Sequence, residues 1–216
     1  MKKILVFAAF VLSTTAMFAQ QEKGTFVVRP MVGISLSTFG TTESLTYLGS
    51  SYETDSKWKT GFTGGAEVGY QVNKWLQPSV GLFYSQQGSK IEKTAAVASV
   101  GSASETTTLK MGYLTVPVLA NFYVAKGLAL KIGVQPCVLL SANDKTNDYN
   151  FKDKCKSFEL QIPFGVSYEY MNIVVDARMN IPCTKVFKKD AVDGFVLTDA
   201  RNNMFQFTLG YNFALN

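Results

Sequence analysis

Residues 205–213 read Phe205-Gln206-Phe207-Thr208-Leu209-Gly210-Tyr211-Asn212-Phe213. Every odd position is large and apolar; every even position is polar or small. Successive side chains on a strand point to opposite faces. This unbroken period of two therefore predicts a strand with one apolar and one polar face.

The same alternation recurs seven times upstream. It runs through Phe26, Val28, Pro30, Val32, Ile34 and Leu36, then through Phe62, Ala66, Val68, Tyr70 and Val72. It continues through Leu76, Pro78, Val80, Leu82 and Tyr84, and through Leu114, Val116, Val118, Ala120, Phe122 and Val124. The last three begin at Leu128, Phe158 and Ile173 and keep the same phase to Val138, Tyr170 and Ile181. Pro30, Pro78, Pro117, Pro136 and Pro163 fall inside these segments; a missing N–H predicts local ladder breaks or bulges there.

Connection lengths alternate too. Asn73-Lys74, Lys126-Gly127 and Met171-Asn172 are tight turns. The other four connections, Gly40 to Lys57, Glu92 to Thr108, Ser141 to Lys156 and Cys183 to Asn202, are long and polar, and the second is low in complexity. Eight strands with short turns at one end and long loops at the other predict an all-β fold: an eight-stranded antiparallel up-and-down transmembrane β-barrel. Its turns would be periplasmic and its loops extracellular.

The N-terminus agrees with export. Lys2 and Lys3 precede the apolar run Ile4 to Leu12, and polar Ser13 to Thr15 and then Ala16-Met17-Phe18-Ala19 follow. Cleavage falls after Ala19 or, since Met17 is large for its place, after Ala16. Residues 1–19 therefore read as a cleaved signal peptide and 20–216 as the barrel domain. Beyond the signal no apolar run is long enough for a spanning helix, and a closed barrel is the other structure that satisfies its backbone in lipid. A soluble barrel of eight strands would turn its apolar face inward. Against that, the polar face here carries charges at depth, and aromatic residues gather near both strand ends. Phe26, Tyr70, Trp75, Phe122, Tyr170 and Phe213 mark the short-turn end; Phe39, Phe62, Tyr84, Tyr113, Phe158 and Phe205 mark the other. Such girdles suit two headgroup layers.

Composition narrows the chemistry. The chain has no His, which excludes His triads, His bases and His metal sites. A net charge of +5, spread rather than clustered, is no nucleic-acid footprint. The three Cys have no metal-ligand spacing. No catalytic residue, cofactor site or metal site is predicted, and the protein is read as not an enzyme.

Arg29, Glu67, Lys131, Glu159, Glu169, Asp176 and Arg178 fall on the polar face and so inside the lumen. Eight strands leave a lumen that side chains fill, so these charges predict a salt-bridged plug. A narrow channel for small solutes is the alternative. Lys145, Lys152, Lys154, Lys156, Lys185, Lys188, Lys189 and Arg201 lie in the last two long loops. They read either as solvated loop ends or as an extracellular basic rim for lipopolysaccharide phosphates or an anionic surface protein partner. Cys155 and Cys183 fall at the outer ends of adjacent strands, where an oxidising compartment permits a disulfide; Cys137 is then a free inward thiol.

Four stretches resemble the PorT-like outer-membrane β-barrel family of Bacteroidetes-type bacteria: FAQ at 18–20, GFTGGAEVGYQVNKWLQPSVGLFYSQQGSK at 61–90, GYLTVPVLANFYVAKGLALKIGVQP at 112–136, and FTLGYNF at 207–213. The resemblance implies the barrel fold, the outer membrane as location, lipid and lipopolysaccharide as surroundings, and an accessory role in moving proteins to the cell surface. It also implies that Tyr211 and Phe213 resemble the C-terminal signal read by the outer-membrane insertion machinery. The residues themselves favour a structural or surface-interaction barrel whose extracellular loops form the binding surface.

Overall fold

The computed structural model describes residues 22–39, 43–47, 50–97, 101–144, 149–186 and 201–215. The predicted signal peptide, Lys145, Lys188 and Lys189 lie outside these residues. In chain order the strands are β1 (Phe26–Phe39), β2 (Glu43–Tyr47), β3 (Ser50–Lys57), β4 (Lys59–Tyr70), β5 (Leu76–Val97), β6 (Gly101–Thr115) and β7 (Val118–Ala125). There follow β8 (Leu128–Asp144), β9 (Tyr149–Asn150), β10 (Phe158–Tyr170), β11 (Ile173–Pro182), β12 (Asn202–Tyr211) and β13 (Phe213–Leu215).

All pairings are antiparallel. β1 pairs with β4 on one side and with β12 and β13 on the other, which closes the ring. Between them run β5, then β6 and β7 sharing one position, then β8, β10 and β11. Eight positions result, as the alternation predicts.

The tight turns form for local reasons. The Asn73 side-chain oxygen accepts from the backbone N–H of Trp75 and Leu76, both at 2.9 Å, an Asx turn. At Gly127 the backbone adopts φ 75°, which glycine allows at little cost. Met171 takes φ 54° without that freedom.

Prolines interrupt the ladders without shifting them. β1 pairs with β12 from Met31 upward and with β13 from Val28 downward, so the gap falls at Arg29 and Pro30. Pro117 separates β6 from β7, and the β8–β10 ladder skips the pair that contains Pro163. The register shifts lie elsewhere, at Gly112/Tyr113 and Tyr123/Ala125. Breaks thus fall at Pro30, Pro117, Pro136 and Pro163. Pro78 instead pairs with Ala120 in an unbroken β5–β7 ladder, and no bulge falls at a proline.

Two long connections are strands in large part. Residues 92–97 and 101–108 extend β5 and β6 as a continuous hairpin, paired out to Val97 and Gly101. The first connection holds β2 and β3, with β3 pairing along the outer part of β5. A four-stranded ribbon thus rises above the ring at the long-connection end. Low complexity in 95–108 hides it, because a run of Ala, Ser, Thr and Gly gives little hydrophobic contrast between faces.

The wall is apolar outside and polar within. Among the described residues 34 large apolar side chains are exposed, including Leu82, Ile132, Phe164, Val175 and Leu209. Soluble monomers rarely expose apolar patches beyond a few hundred Å², so this band requires an apolar solvent. Its rims are aromatic. Phe26 and Tyr70 sit 4.7 Å apart between ring centroids and Trp75 stacks on Phe122 at 6.3 Å, both at the short-turn end. At the other end Trp58 meets Phe205 at 5.6 Å. Two residues expected in that outer girdle are not there. Phe39 and Tyr113 are fully buried inside the barrel, because both fall on the inward phase of their strands.

An arginine on the lipid side at mid-height tests this orientation. Leu209→Arg is expected to destabilise the barrel by about 2–4 kcal/mol in equilibrium urea unfolding from phospholipid vesicles. An unchanged midpoint would place Leu209 away from lipid.

Candidate lumen site

Register decides which inward charges meet. Arg29 on β1 stands beside Glu67 on β4. In the next stretch of wall Lys131 on β8, Gly165 on β10 and Arg178 on β11 share one row. Gly165 leaves the space between the two cations open: a Cβ there would lie 2.7 Å from the Arg178 side chain. Gly81, opposite Glu67, does the same for that carboxylate, since its Cβ would lie 2.9 Å from Glu67 Cγ.

The result is one connected set of ion pairs. Glu67 Oε1 accepts from Arg178 at 2.5 Å, and Glu67 Oε2 lies 3.5 Å from Lys131 Nζ and 3.7 Å from Arg29. Asp176 pairs with Lys131 at 2.5 Å and with Arg178 Nε at 2.6 Å. Glu169 pairs with Arg29 at 2.5 Å and accepts from the Tyr123 hydroxyl at 2.8 Å. Arg29 Nε donates to Asn212 at 2.5 Å, and the Arg178 guanidinium lies 5.7 Å from the centre of the Phe83 ring. Three cations and three carboxylates balance. All six side chains are almost wholly buried.

Glu159 is the exception to the predicted cluster. It pairs in register with Cys137, six residues from Lys131 on β8. At about 3.3 Å rise per residue that is roughly 20 Å along the strand. It accepts a hydrogen bond from the Tyr113 hydroxyl and has no ion pair among the described residues. Alternation assigns it to the correct face but says nothing of its height.

Around Glu159 the outer half of the lumen holds an apolar cluster beside its buried polar residues. Phe39, Ile91, Leu109, Met111, Tyr113, Cys137, Leu139 and Ala142 come from the wall, and Phe151, Cys155 and Val186 from two long connections. Those connections are tied down by backbone bonds, Phe151 N–H to Ala142 at 3.1 Å and Lys156 N–H to Val186 at 2.8 Å. The mouth is therefore stoppered by side chains from above. Phe151 and Val186 carried no sequence signal, since an isolated apolar residue in a polar loop has no periodicity.

The possible Cys155–Cys183 disulfide is not formed. Cys155 is buried in the mouth and Cys183 is exposed; all three cysteines are free thiols. The inward placement of Cys137 agrees with the alternation. Lys152 and Lys154 are exposed and Lys156 and Lys185 half-buried around the same mouth; Arg201 is exposed just before β12. Tyr211 and Phe213 face outward, their rings 4.8 Å apart.

Removing Glu67 leaves three buried cations against two carboxylates. Glu67→Ala is expected to cost about 3–5 kcal/mol in urea unfolding. Glu159→Gln, which still accepts from Tyr113, should cost about 1 kcal/mol or less. Equal effects would deny that the charges act as one network.

Residues 18–188 match the family model described as the outer membrane protein beta-barrel domain. No curated protein matches the sequence. Solved structures with a similar arrangement include the attachment invasion locus protein Ail of Yersinia pestis, in complex with the heparin analogue sucrose octasulfate. Its identity is 16%, covering 89% of this chain and 100% of that one, with a TM-score of 0.48. OprG of Pseudomonas aeruginosa is 12% identical, covering 91% and 99%, with a TM-score of 0.44. Neisserial surface protein A is 15% identical, covering 87% and 97%, also at 0.44. With a ring closed on itself, apolar side chains outside and charges inside, and a family model spanning most of its length, the chain belongs to the outer membrane protein beta-barrel domain family and is an integral outer-membrane protein.

Proposed function

We propose that the protein is a closed, non-conducting barrel whose role is structural or surface-interacting, carried by what it presents outside the cell. The observation that carries this reading is a lumen blocked at two levels. In the inner half, three cations and three carboxylates cross-link the wall, and the hollow beside Arg29, Glu67, Gln77 and Ser79 leaves no room for a water molecule. In the outer half, Phe151, Cys155 and Val186 stopper the mouth.

Opening a path would mean separating buried pairs, and breaking one such pair costs about 3–5 kcal/mol. A channel role would require several to part together. The same neutralisation speaks against catalysis: Glu67 and Glu169 are both engaged by Arg29 rather than poised as an acid and a base.

The outward features are the ribbon of β2, β3, β5 and β6 and the lysines around the mouth. Loops raised on a rigid wall are where binding surfaces concentrate. Lys152, Lys154, Lys156 and Lys185 suit phosphates of lipopolysaccharide or an acidic surface partner. Within the family, the quoted stretches support a PorT-like placement, with its accessory role in surface export as the finer form of this reading.

Reconstitution into planar lipid bilayers tests it. The mature protein is expected to give no steady single-channel current above that of protein-free membrane. Large, steady, reproducible openings would contradict the closed lumen and favour a solute channel.

A further inference from the structure

The outer wall changes character abruptly where β5, β6 and β8 meet. Tyr84, Leu114, Val138 and Phe158 are register partners in one row, and all face outward as apolar or aromatic side chains. The next partners up are Gln86, Gly112 and Ser141, followed by Lys110 opposite Asn143. Apolar wall thus gives way to polar wall within one row.

A hollow of about 110 Å³ opens at that boundary, lined by Tyr84, Gln86, Lys110, Gly112, Ser141 and Asn143. Two features of the chain build it. Gly112 pairs with Ser141 but Tyr113 pairs with Leu139, so Leu140 is the extra residue of a bulge, and bulges re-aim the side chains beside them. Gly112 supplies the floor: a Cβ there would stand 2.7 Å from Ser141 Oγ and 2.9 Å from the Tyr84 hydroxyl. Two hydroxyls therefore converge over a residue without a side chain, and Lys110, Gln86 and Asn143 line the rest of the hollow.

We propose that this hollow binds the phosphate-bearing headgroup of an outer-leaflet glycolipid. Hydroxyl and amide donors beside a cation are the chemistry that holds a phosphate monoester, since charge-assisted bonds to its oxygens are the strong ones. The position selects an amphiphile over a soluble anion. Directly below the hollow, Tyr84, Leu82, Val138 and Leu140 are exposed on the wall and give acyl chains an apolar track. The site lies on the side of the barrel, apart from the lysines at its mouth, and depends on membrane location alone, so a conducting lumen would leave it untouched.

The test uses the mature protein in non-ionic detergent, titrated with monophosphorylated lipid A and followed by native mass spectrometry. One lipid per barrel is expected to survive, with Lys110→Ala weakening its retention about ten-fold, the loss of one charged hydrogen bond. Gly112→Val, which fills the floor, should do the same; Lys110→Ala keeps the test decisive if that variant does not insert. A phosphate-free analogue of the lipid should bind wild type as weakly as the variants, and inorganic phosphate at the lipid's own concentration should not compete. Equal retention by wild type and Lys110→Ala would overturn the site, as would equal retention of the phosphate-free lipid. Displacement by inorganic phosphate would overturn the lipid and leave a free-anion site. Loss on Lys152→Ala/Lys154→Ala instead of Lys110→Ala would overturn it in favour of the mouth.

Discussion

Glu67 sits among three cations, and the rest of the barrel depends on how that charge is shared. A wall of eight strands leaves an interior that must be filled, and most of its inward positions are polar. A buried charge without a partner costs several kcal/mol, while a well-paired one is close to neutral. Arg29, Lys131 and Arg178 arrive from three strands, and Glu67, Glu169 and Asp176 meet them from three elements of the ring. The network therefore ties positions around the ring across its interior. Glycines at 81 and 165 give it room, which links a small-residue choice in the strand to ion pairing in the lumen.

Outside, the same strands obey the opposite rule. With no water at mid-wall, the backbone is satisfied by the closed ladder, and the side chains need only match acyl tails. Proline is tolerated because each break is one or two pairs long and the register resumes unchanged. Where the wall leaves the apolar layer, the constraint relaxes and the ladder bulges at Gly112/Tyr113. That change of solvent is what places polar side chains on the outer face.

Much of this was legible in the residues, and what was not has physical reasons. Alternation alone assigns Arg29, Glu67 and Lys131 to the inside and Leu82 and Leu209 to the outside, because face depends only on parity. Height depends on register between strands, which parity does not encode. Parity alone therefore groups Glu159 with charges from which it stands roughly 20 Å away along the strand. Phe39 and Tyr113 are aromatic residues near strand ends, which suggests the girdle, but their parity points inward, where they are buried. The mouth cluster joins Phe151, Cys155 and Val186 to distant wall residues, a long-range packing event with no local pattern, and it is also why Cys155 turns away from Cys183.

The most direct test of the central claim is a nitroxide scan along β12 in lipid vesicles, with the native cysteines replaced by serine. Labels at 205, 207, 209 and 211 should collide freely with lipid-dissolved oxygen, while labels at 206 and 208 should be shielded from oxygen and from a water-soluble relaxer alike. Reversed phase, with 206 and 208 oxygen-accessible and 207 and 209 shielded, would contradict an apolar face turned to lipid and a charged face sealed within.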